Sequence, residues 1–291
     1  MEPVVCELEY RPPFDWDALH AFLVGRASFG VEIVAGGRYV RTAAVAGRSG
    51  WIAVEPHEES NVLRVELSPS LASEVPRLLP RIERMFDLAA DSKRIAAHLG
   101  VLAEARPGLR LPGTFDGFEM AVRAVLGQQI SVRAATTLAG RFVRAFGEPI
   151  KTPFPQLTHL TPTPERIAGA QIEEIIALGI IASRARTILA LARTVAEGKV
   201  GLNSDCDVPA TMARLKEVPG IGEWTAQYIA MRALGWRDAF PHTDLGIYKA
   251  LGIHNPRRIL EIAEAWRPWR AYAAMHLWKS LETETTTMLA V

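Results

Sequence analysis

The feature that most constrains the fold is a change of hydrophobic periodicity near residue 90. Before it, apolar and polar residues alternate over residues 6–10 and 63–67, as in half-buried strands. Gly36 and Gly37 separate two further apolar stretches and predict a hairpin. After residue 90 the apolar residues recur at helical spacing. The sequence therefore predicts an α+β fold, with a small antiparallel-sheet domain over residues 1–90 and an all-α region over residues 91–291.

Residues that typically begin or end helices predict the boundaries of several helical segments. Asp15 and Asp116 are positioned to cap helices, Pro76 to begin one, and Gly179 and Gly198 to end two more. Residues 149–164 are the least regular stretch. The helical segments predicted after residue 90 are 116–126, 171–178, 183–197, 209–218, 223–234, 245–251, 257–266 and 272–281.

Composition excludes several classes of protein. The 33 basic and 32 acidic side chains give a net charge of +1. This value gives no reason to expect a basic tail that binds nucleic acid, but it permits a local basic face. Cys6 and Cys206 are too few for a cysteine-built zinc site or an iron–sulfur cluster. Sparse cysteine fits a reducing compartment, and neither a signal peptide nor a membrane span is visible. We expect a soluble, cytoplasmic protein.

The most informative segment is a predicted helical hairpin over residues 209–235. Its turn, Pro-Gly-Ile-Gly at residues 219–222, lets the backbone adopt positive φ and approach another molecule closely. Free N–H groups at the start of the second helix are suited to a phosphate. Such a hairpin grips a nucleic-acid backbone without reading its sequence. An ordinary αα-hairpin with glycine turn residues explains the same segment.

A single aspartate, Asp244, lies 22 residues beyond Gly222 at a predicted helix start. The turn Val-Pro-Gly-Ile-Gly at residues 218–222, followed by Thr-Asp-Leu-Gly-Ile-Tyr-Lys at residues 243–249, resembles the helix-hairpin-helix DNA glycosylase superfamily. Within it the chain is most similar to the AlkA-type 3-methyladenine DNA glycosylases II. Residues 10–16, 105–113, 125–132 and 266–278 support that branch.

The resemblance implies that Asp244 is catalytic, whereas its position alone is explained by an N-cap, and both roles are compatible. Cleavage of an N-glycosidic bond passes through an oxocarbenium-like sugar, which a nearby negative charge stabilises. A second carboxylic acid is less needed when the leaving base is already cationic from alkylation. A lone aspartate is therefore consistent with an alkylated-base substrate.

The resemblance assigns Trp224, Tyr228 and Trp278 to a base pocket, where electron-rich rings attract a cationic base. From spacing alone, Trp224 and Tyr228 are also a typical core pair at i and i+4. In bifunctional members of the superfamily a nucleophilic lysine occupies the position of Trp224. Without that amine no Schiff base forms there. The four-cysteine cluster of the endonuclease III branch is absent too, so we expect a monofunctional enzyme that leaves an abasic site.

The resemblance also implies contacts with DNA. Gln129 matches the wedge that replaces the flipped base, where the best-known AlkA pattern has an apolar residue. Leu245 stands where that pattern has tyrosine. On sequence alone, Gln128 and Gln129 are more typical of a solvated loop than of a DNA contact. The residues expected to contact DNA are Gln128, Gln129, Gly220, Gly222 and Thr225.

The family's hairpin commonly holds a monovalent cation, Na⁺ or K⁺, through backbone carbonyls. The corresponding carbonyls here belong to Lys216, Val218 and Ile221. The cation would be structural, and we expect no cofactor to be required.

Three hypotheses follow. The first is a monomeric, monofunctional glycosylase that excises bases of the 3-methyladenine and 7-methylguanine type from double-stranded DNA in base excision repair, with no membrane partner. The second is a non-catalytic module that binds the DNA backbone, and Asp244 in its helix-start context argues against it. The third is a glycosylase directed at oxidised or deaminated bases.

Overall fold

The computed structural model describes residues 2–57 and 60–289, with side chains up to residue 282. Its strands are β1 (Val4–Glu9), β2 (Glu32–Ala35), β3 (Arg38–Val45), β4 (Arg48–Pro56) and β5 (Val62–Leu67). They form one antiparallel sheet in the order β1-β5-β4-β3-β2. The predicted antiparallel sheet is therefore confirmed.

The predicted glycine hairpin joins β2 to β3. Gly36 and Gly37 have φ values of +60° and +74°, and Ala35 pairs with Arg38 across the turn. Positive φ at both central residues matches the right-handed twist of the flanking strands. This turn is one of the places where the backbone itself requires glycine.

Strand β4 has no counterpart in the predictions from periodicity. Residues 50–54 are all buried, so the alternation that marks a half-buried strand is absent. One face of β4 packs on the main core, and the other lies under the irregular loop at residues 149–160. The rings of Trp51 and Phe154 meet at 5.0 Å, so this loop covers the outer face of the sheet.

Three helices accompany the sheet: α1 (Trp16–Val24), α2 (Val75–Met85) and α3 (Ser92–Leu99). As predicted, Asp15 caps α1 by accepting a hydrogen bond from the N–H of Ala18 at 2.9 Å. Asp91 caps α3 in the same way, although periodicity did not reveal that helix. The apolar faces of α1 and α2 pack on the sheet in a core that continues into the rest of the molecule.

The remainder of the described chain is helical. Asp116 caps the first of these helices through the N–H of Glu119 at 2.8 Å, as predicted. The helices are α4 (Gly117–Leu126), α5 (Val132–Phe146), α6 (Pro164–Ala168), α7 (Ile172–Ile176), α8 (Ala182–Ala196), α9 (Val208–Glu217), α10 (Glu223–Arg232), α11 (Leu245–Leu251), α12 (Pro256–Ala263) and α13 (Arg270–Leu289).

The differences from the predicted segments have local causes. Helix α5 was not predicted. Its first half is exposed, and its buried apolar side chains, such as Phe142 and Phe146, all lie in the second half. Short helix α6 was also missed. Helix α7 is shorter than predicted, and the segment after α12 tightens into a 3₁₀ turn. Among the helices described here, none has the length and apolar character needed to cross a membrane.

Candidate active site

The predicted hairpin is formed by α9, a five-residue turn and α10. Gly220 has φ +90°, and a Cβ there would lie 2.0 Å from the hydroxyl of Thr187 on α8. Gly222, in contrast, has φ −92°, and no atom lies within 4 Å of the position its Cβ would take. Of the two glycines that permit positive φ in this turn, only Gly220 adopts it. At that position the missing side chain leaves open space beside the turn.

The start of α10 presents unpaired donors to this open space. Neither the N–H of Gly222 nor that of Glu223 reaches an acceptor among the residues that the structure describes. The first N–H groups of a helix have no partner within the helix, and together with the helix dipole they favour an anion. The turn therefore offers unpaired donors of the kind that bind an anion.

Asp244 caps α11, as its position at a helix start predicts. Its Oδ1 accepts hydrogen bonds from the N–H groups of Gly246 at 2.8 Å and Ile247 at 3.2 Å. The side chain is only half-buried, so one side of the carboxylate faces the cleft described below.

Two tryptophans complete the environment of Asp244. The indole N–H of Trp224 donates to Oδ2 at 2.8 Å, and that of Trp278 donates to Oδ1 at 2.9 Å. All four donors to this carboxylate are neutral. They fix its orientation and bring no positive charge next to it. This is the arrangement needed to stabilise a cation that develops nearby.

The predicted aromatic residues form one wall. The rings of Trp224 and Tyr228 are parallel to within 6°, with centroids 5.2 Å apart. The ring of Trp278 is tilted by 56° to that of Tyr228 at 6.2 Å. All three side chains are half-buried and line a cleft, so they are not simply core residues.

The cleft has a volume of about 1020 Å³. It brings together every predicted catalytic, base-pocket and DNA-binding residue: Gln128, Gln129, Gly220, Gly222, Trp224, Thr225, Tyr228, Asp244 and Trp278. These residues come from the loop after α4, the hairpin, and the two helices α11 and α13. No lysine of the described chain lines it.

The two glutamines of the loop after α4 play different structural parts. The amide of Gln128 donates to the carbonyl of Gly220 and to the hydroxyl of Thr225, both at 2.9 Å. These two hydrogen bonds connect the loop to the hairpin, and one of them is accepted by the hydroxyl of the buried Thr225. Gln129 is exposed and has φ +55°, a conformation that few residues other than glycine adopt. Its side chain projects from the loop at the mouth of the cleft.

A buried charge cluster at the inner end of the cleft was not predicted. Arg41 on β3 lies 2.7 Å from Glu119 on α4, and Arg123 on α4 lies 3.2 Å from Glu32 on β2. Burial raises the pKa of Glu119. Burial also acts on Glu32, but Arg123 and Arg41 hold the pKa of that carboxyl below its usual value. These pairs join the sheet domain to the helical region, and all four residues line the same cleft as the predicted base pocket.

The only signals for this cluster in the sequence were weak. Arg41 interrupts the apolar pattern of its strand, and Glu119 and Arg123 form an i,i+4 pair on α4. Neither feature indicates which residue will be the oppositely charged partner.

The carbonyls proposed for a cation lie at the end of α9 and in the turn. The carbonyl of Val218 accepts a hydrogen bond from the N–H of Ile221 at 3.0 Å. Cation binding by Lys216, Val218 and Ile221 remains a prediction. Among the described residues there is no group of His, Cys, Asp and Glu side chains that could hold a metal ion.

A helix-hairpin-helix turn beside a cleft that contains one aspartate and several aromatic rings defines a class, the helix-hairpin-helix DNA glycosylases. Residues 5–116 match the family model of the AlkA N-terminal domain, and residues 122–268 match that of the HhH-GPD superfamily of base excision DNA repair proteins. The chain belongs to this superfamily and carries the AlkA N-terminal domain.

Individual relatives agree with the family assignment. The chain is 38% identical over 271 residues to DNA-3-methyladenine glycosylase 2 of Escherichia coli K12, covering 93% of this chain and 95% of that protein. It is also 38% identical to a probable bifunctional transcriptional activator/DNA repair enzyme AlkA of Mycobacterium tuberculosis, covering 96% of this chain and 57% of that protein. The solved 3-methyladenine DNA glycosylase of Archaeoglobus fulgidus has the same fold, with a TM-score of 0.79 at 23% identity, covering 94% of this chain and 97% of that one.

Proposed function

We propose that the protein is a monofunctional DNA glycosylase that flips alkylated bases out of double-stranded DNA and hydrolyses their N-glycosidic bonds in base excision repair. The substrates are bases of the 3-methyladenine and 7-methylguanine type, and the product is an abasic site. One observation carries the proposal: the carboxylate of Asp244, oriented by two indole N–H groups, faces a cleft that no described lysine lines.

For a cationic base, the reaction needs a negative charge near the sugar more than it needs an acid that protonates the leaving base. As the C1′–N bond lengthens, positive charge develops on the sugar, and a fixed carboxylate nearby lowers the energy of that state. An alkylated purine departs as a neutral molecule and needs no proton. Water then adds to C1′, and Asp244 lies where it can also orient that water.

The aromatic wall supports recognition of such bases. A cationic base against an electron-rich ring gains roughly 0.5–2 kcal/mol, depending on how well the site is desolvated. Trp224, Tyr228 and Trp278 provide these faces beside the carboxylate. The gain depends on electron deficiency of the base and not on one hydrogen-bond pattern, so it favours a range of alkylated bases.

Binding to DNA rests mainly on backbone donors in this proposal. The chain has a net charge of only +1, so general electrostatic attraction to DNA is weak. The unpaired N–H groups of Gly222 and Glu223 offer a phosphate site beside the cleft. Gln129 then occupies the gap that the flipped base leaves in the stack.

The same proposal includes a cytoplasmic monomer that needs no cofactor for catalysis. A structural Na⁺ or K⁺ on the carbonyls of Lys216, Val218 and Ile221 would fix the hairpin turn. Sedimentation of the protein with and without DNA tests the monomer.

A base-release assay tests the activity. The protein is incubated with duplex DNA that contains 7-methylguanine, and free base and strand breaks are measured separately. We expect base release with intact strands that break only after treatment with alkali. Failure to release the base would refute the glycosylase assignment, and breaks without alkali would refute the monofunctional mechanism.

A further inference from the structure

The inner end of the cleft holds an arginine whose three nitrogen atoms each donate a hydrogen bond to a neighbouring oxygen atom. Arg232, at the end of α10, is buried, and its guanidinium donates hydrogen bonds to the carbonyls of Pro112 and Gly113. Its remaining group, Nη1, donates to the phenolic oxygen of Tyr228 at 3.0 Å. Arg232 thus fixes the phenol of Tyr228 one turn before it on the same helix.

This hydrogen bond determines what the phenol can do. A guanidinium has no acceptor, so Tyr228 must be the acceptor in the pair, and its own proton is directed elsewhere. The hydroxyl proton of Tyr228 has no acceptor among the residues that the structure describes. Tyr228 also lines the cleft. The free proton is therefore available to a base that occupies the cleft.

The charges around Tyr228 favour loss of this proton. Burial alone would raise the pKa of Tyr228, but the positive charges of Arg232, Arg26 and Arg123 together with the hydrogen bond from Arg232 bring it below its usual value. Arg26 follows α1 in the sheet domain, and Arg123 lies on α4. The carboxylates at this end of the cleft, Glu32 and Glu119, are paired with arginines.

We propose that Tyr228 is a second catalytic residue, which donates its hydroxyl proton to the departing base when that base is not already cationic. The inference rests on the proposed function and extends it to uncharged purines.

The C1′–N9 bond breaks and its electron pair stays with the purine, while the O–H bond of Tyr228 breaks and an N–H bond forms on the purine ring. The phenolate is held by Arg232. Water adds to C1′ and loses a proton to solvent or to Asp244, and the phenolate regains a proton from solvent after the base has left.

The test compares an uncharged with a cationic purine under single-turnover conditions. Duplexes that contain either 2′-deoxyinosine or N7-methyl-2′-deoxyguanosine are cleaved by the wild type and by Tyr228→Phe, which keeps the ring. General acid catalysis contributes about 10²- to 10⁴-fold. We expect Tyr228→Phe to reduce the rate on deoxyinosine at least ~10-fold more than the rate on the methylated base. Tyr248→Phe, outside the cleft, is the matched control and should change neither rate.

The pH profile provides a readout that a purely structural role would not change. For the wild type, release of the uncharged base should decline as the pH rises through the lowered pKa of Tyr228, and this alkaline decline should be absent in Tyr228→Phe. Equal losses on both substrates would overturn the inference, as would a wild type that releases only the methylated base. The second result would leave the proposed function intact. Failure on both substrates would refute the proposed function itself.

Discussion

The indole N–H of Trp224 donates a hydrogen bond to Oδ2 of Asp244 at 2.8 Å. Tryptophan at position 224 therefore has a role of its own, besides the absence of a nucleophilic lysine there. It orients the carboxylate that the proposed mechanism requires, together with Trp278 on the opposite side. A lysine at this position would remove one of these neutral donors and place a positive charge beside Asp244. The absence of lyase chemistry and the orientation of the aspartate thus depend on the same side chain.

Asp244→Asn should reduce base release by on the order of 10²-fold or more, because it deletes the charge opposite the oxocarbenium-like sugar. Asparagine also caps helices well, so the cap of α11 should be kept. Its amide nitrogen would face the indole N–H of Trp224, so the melting temperature should fall modestly while the protein stays folded. Binding to a DNA duplex with an abasic-site analogue should persist. The control is Asp91→Asn, which alters the cap of α3 away from the cleft. Near-wild-type turnover of Asp244→Asn would contradict the mechanism.

No covalent enzyme–DNA complex should form when borohydride is added during the reaction. A Schiff base needs an amine at the sugar, and Trp224 occupies the lysine position while no described lysine lines the cleft. The measurement is a gel assay for a protein–DNA adduct, run beside a known glycosylase/lyase on its own substrate. An adduct that maps to any lysine of this chain would show that the enzyme is bifunctional.

The two turn glycines should respond oppositely to substitution. Gly220→Ala should lower the melting temperature, because its Cβ would lie 2.0 Å from the Thr187 hydroxyl at a φ of +90°. Gly222→Ala should fold normally, since its Cβ meets nothing within 4 Å. Gly222→Pro also removes an N–H donor and should weaken DNA binding more than Gly222→Ala does. Thermal melts and binding isotherms at fixed salt check both. If Gly222→Pro binds DNA as the wild type does, the hairpin amides do not hold the phosphate.

Gln129→Ala should weaken excision from duplex DNA much more than excision from single-stranded DNA. In a duplex the flipped base leaves a gap that costs a few kcal/mol in stacking and pairing, whereas a single strand has little stacking to replace. Wild-type activity should also vary with the base opposite the lesion, because a glutamine can hydrogen-bond that base. Gln156→Ala, on the loop over the sheet, is the control. Equal losses on the two substrates would make Gln129 an ordinary loop residue.

His276 on α13 should make the protein sensitive to mild acid. Burial lowers the pKa of His276 to about 4 in the folded protein, against about 6.5 in the unfolded chain. Between these values the unfolded chain binds a proton that the folded protein does not. The free energy of unfolding is therefore unaffected by His276 above pH 6.5. It falls as the pH decreases toward 4, by up to roughly 3 kcal/mol.

The measurement is urea unfolding of the wild type and of His276→Leu at pH 7 and pH 4.5. The loss of stability between these pH values should be smaller in the variant, because the titrating group is gone. The exposed His254→Gln should lose as much as the wild type. An unchanged loss in His276→Leu would show that other groups cause the acid sensitivity.

The local parts of the fold could be predicted from the sequence because their causes are local. Asp15, Asp116 and Asp244 each cap a helix through N–H groups two or three residues ahead. The glycine hairpin at residues 36 and 37 likewise depends on its own backbone. Strand β4 and helix α5 were not predicted. Burial on both faces removes the alternation of β4, and the buried residues of α5 all lie in its second half, so its apolar stripe covers only half of its length.

The sequence by itself determined the α+β plan, the hairpin turn and the aspartate that follows it. The tertiary structure alone decided which residues surround that aspartate and what closes the inner end of the cleft. Trp278 lies 34 residues beyond Asp244, and Arg41 meets Glu119 across 78 residues. Hydrogen bonds and ion pairs over such separations leave no periodic trace in the chain. The ion pair depends on how the sheet domain packs against α4, and the hydrogen bond depends on how α13 packs against α11. The shared hydrophobic core sets both packings.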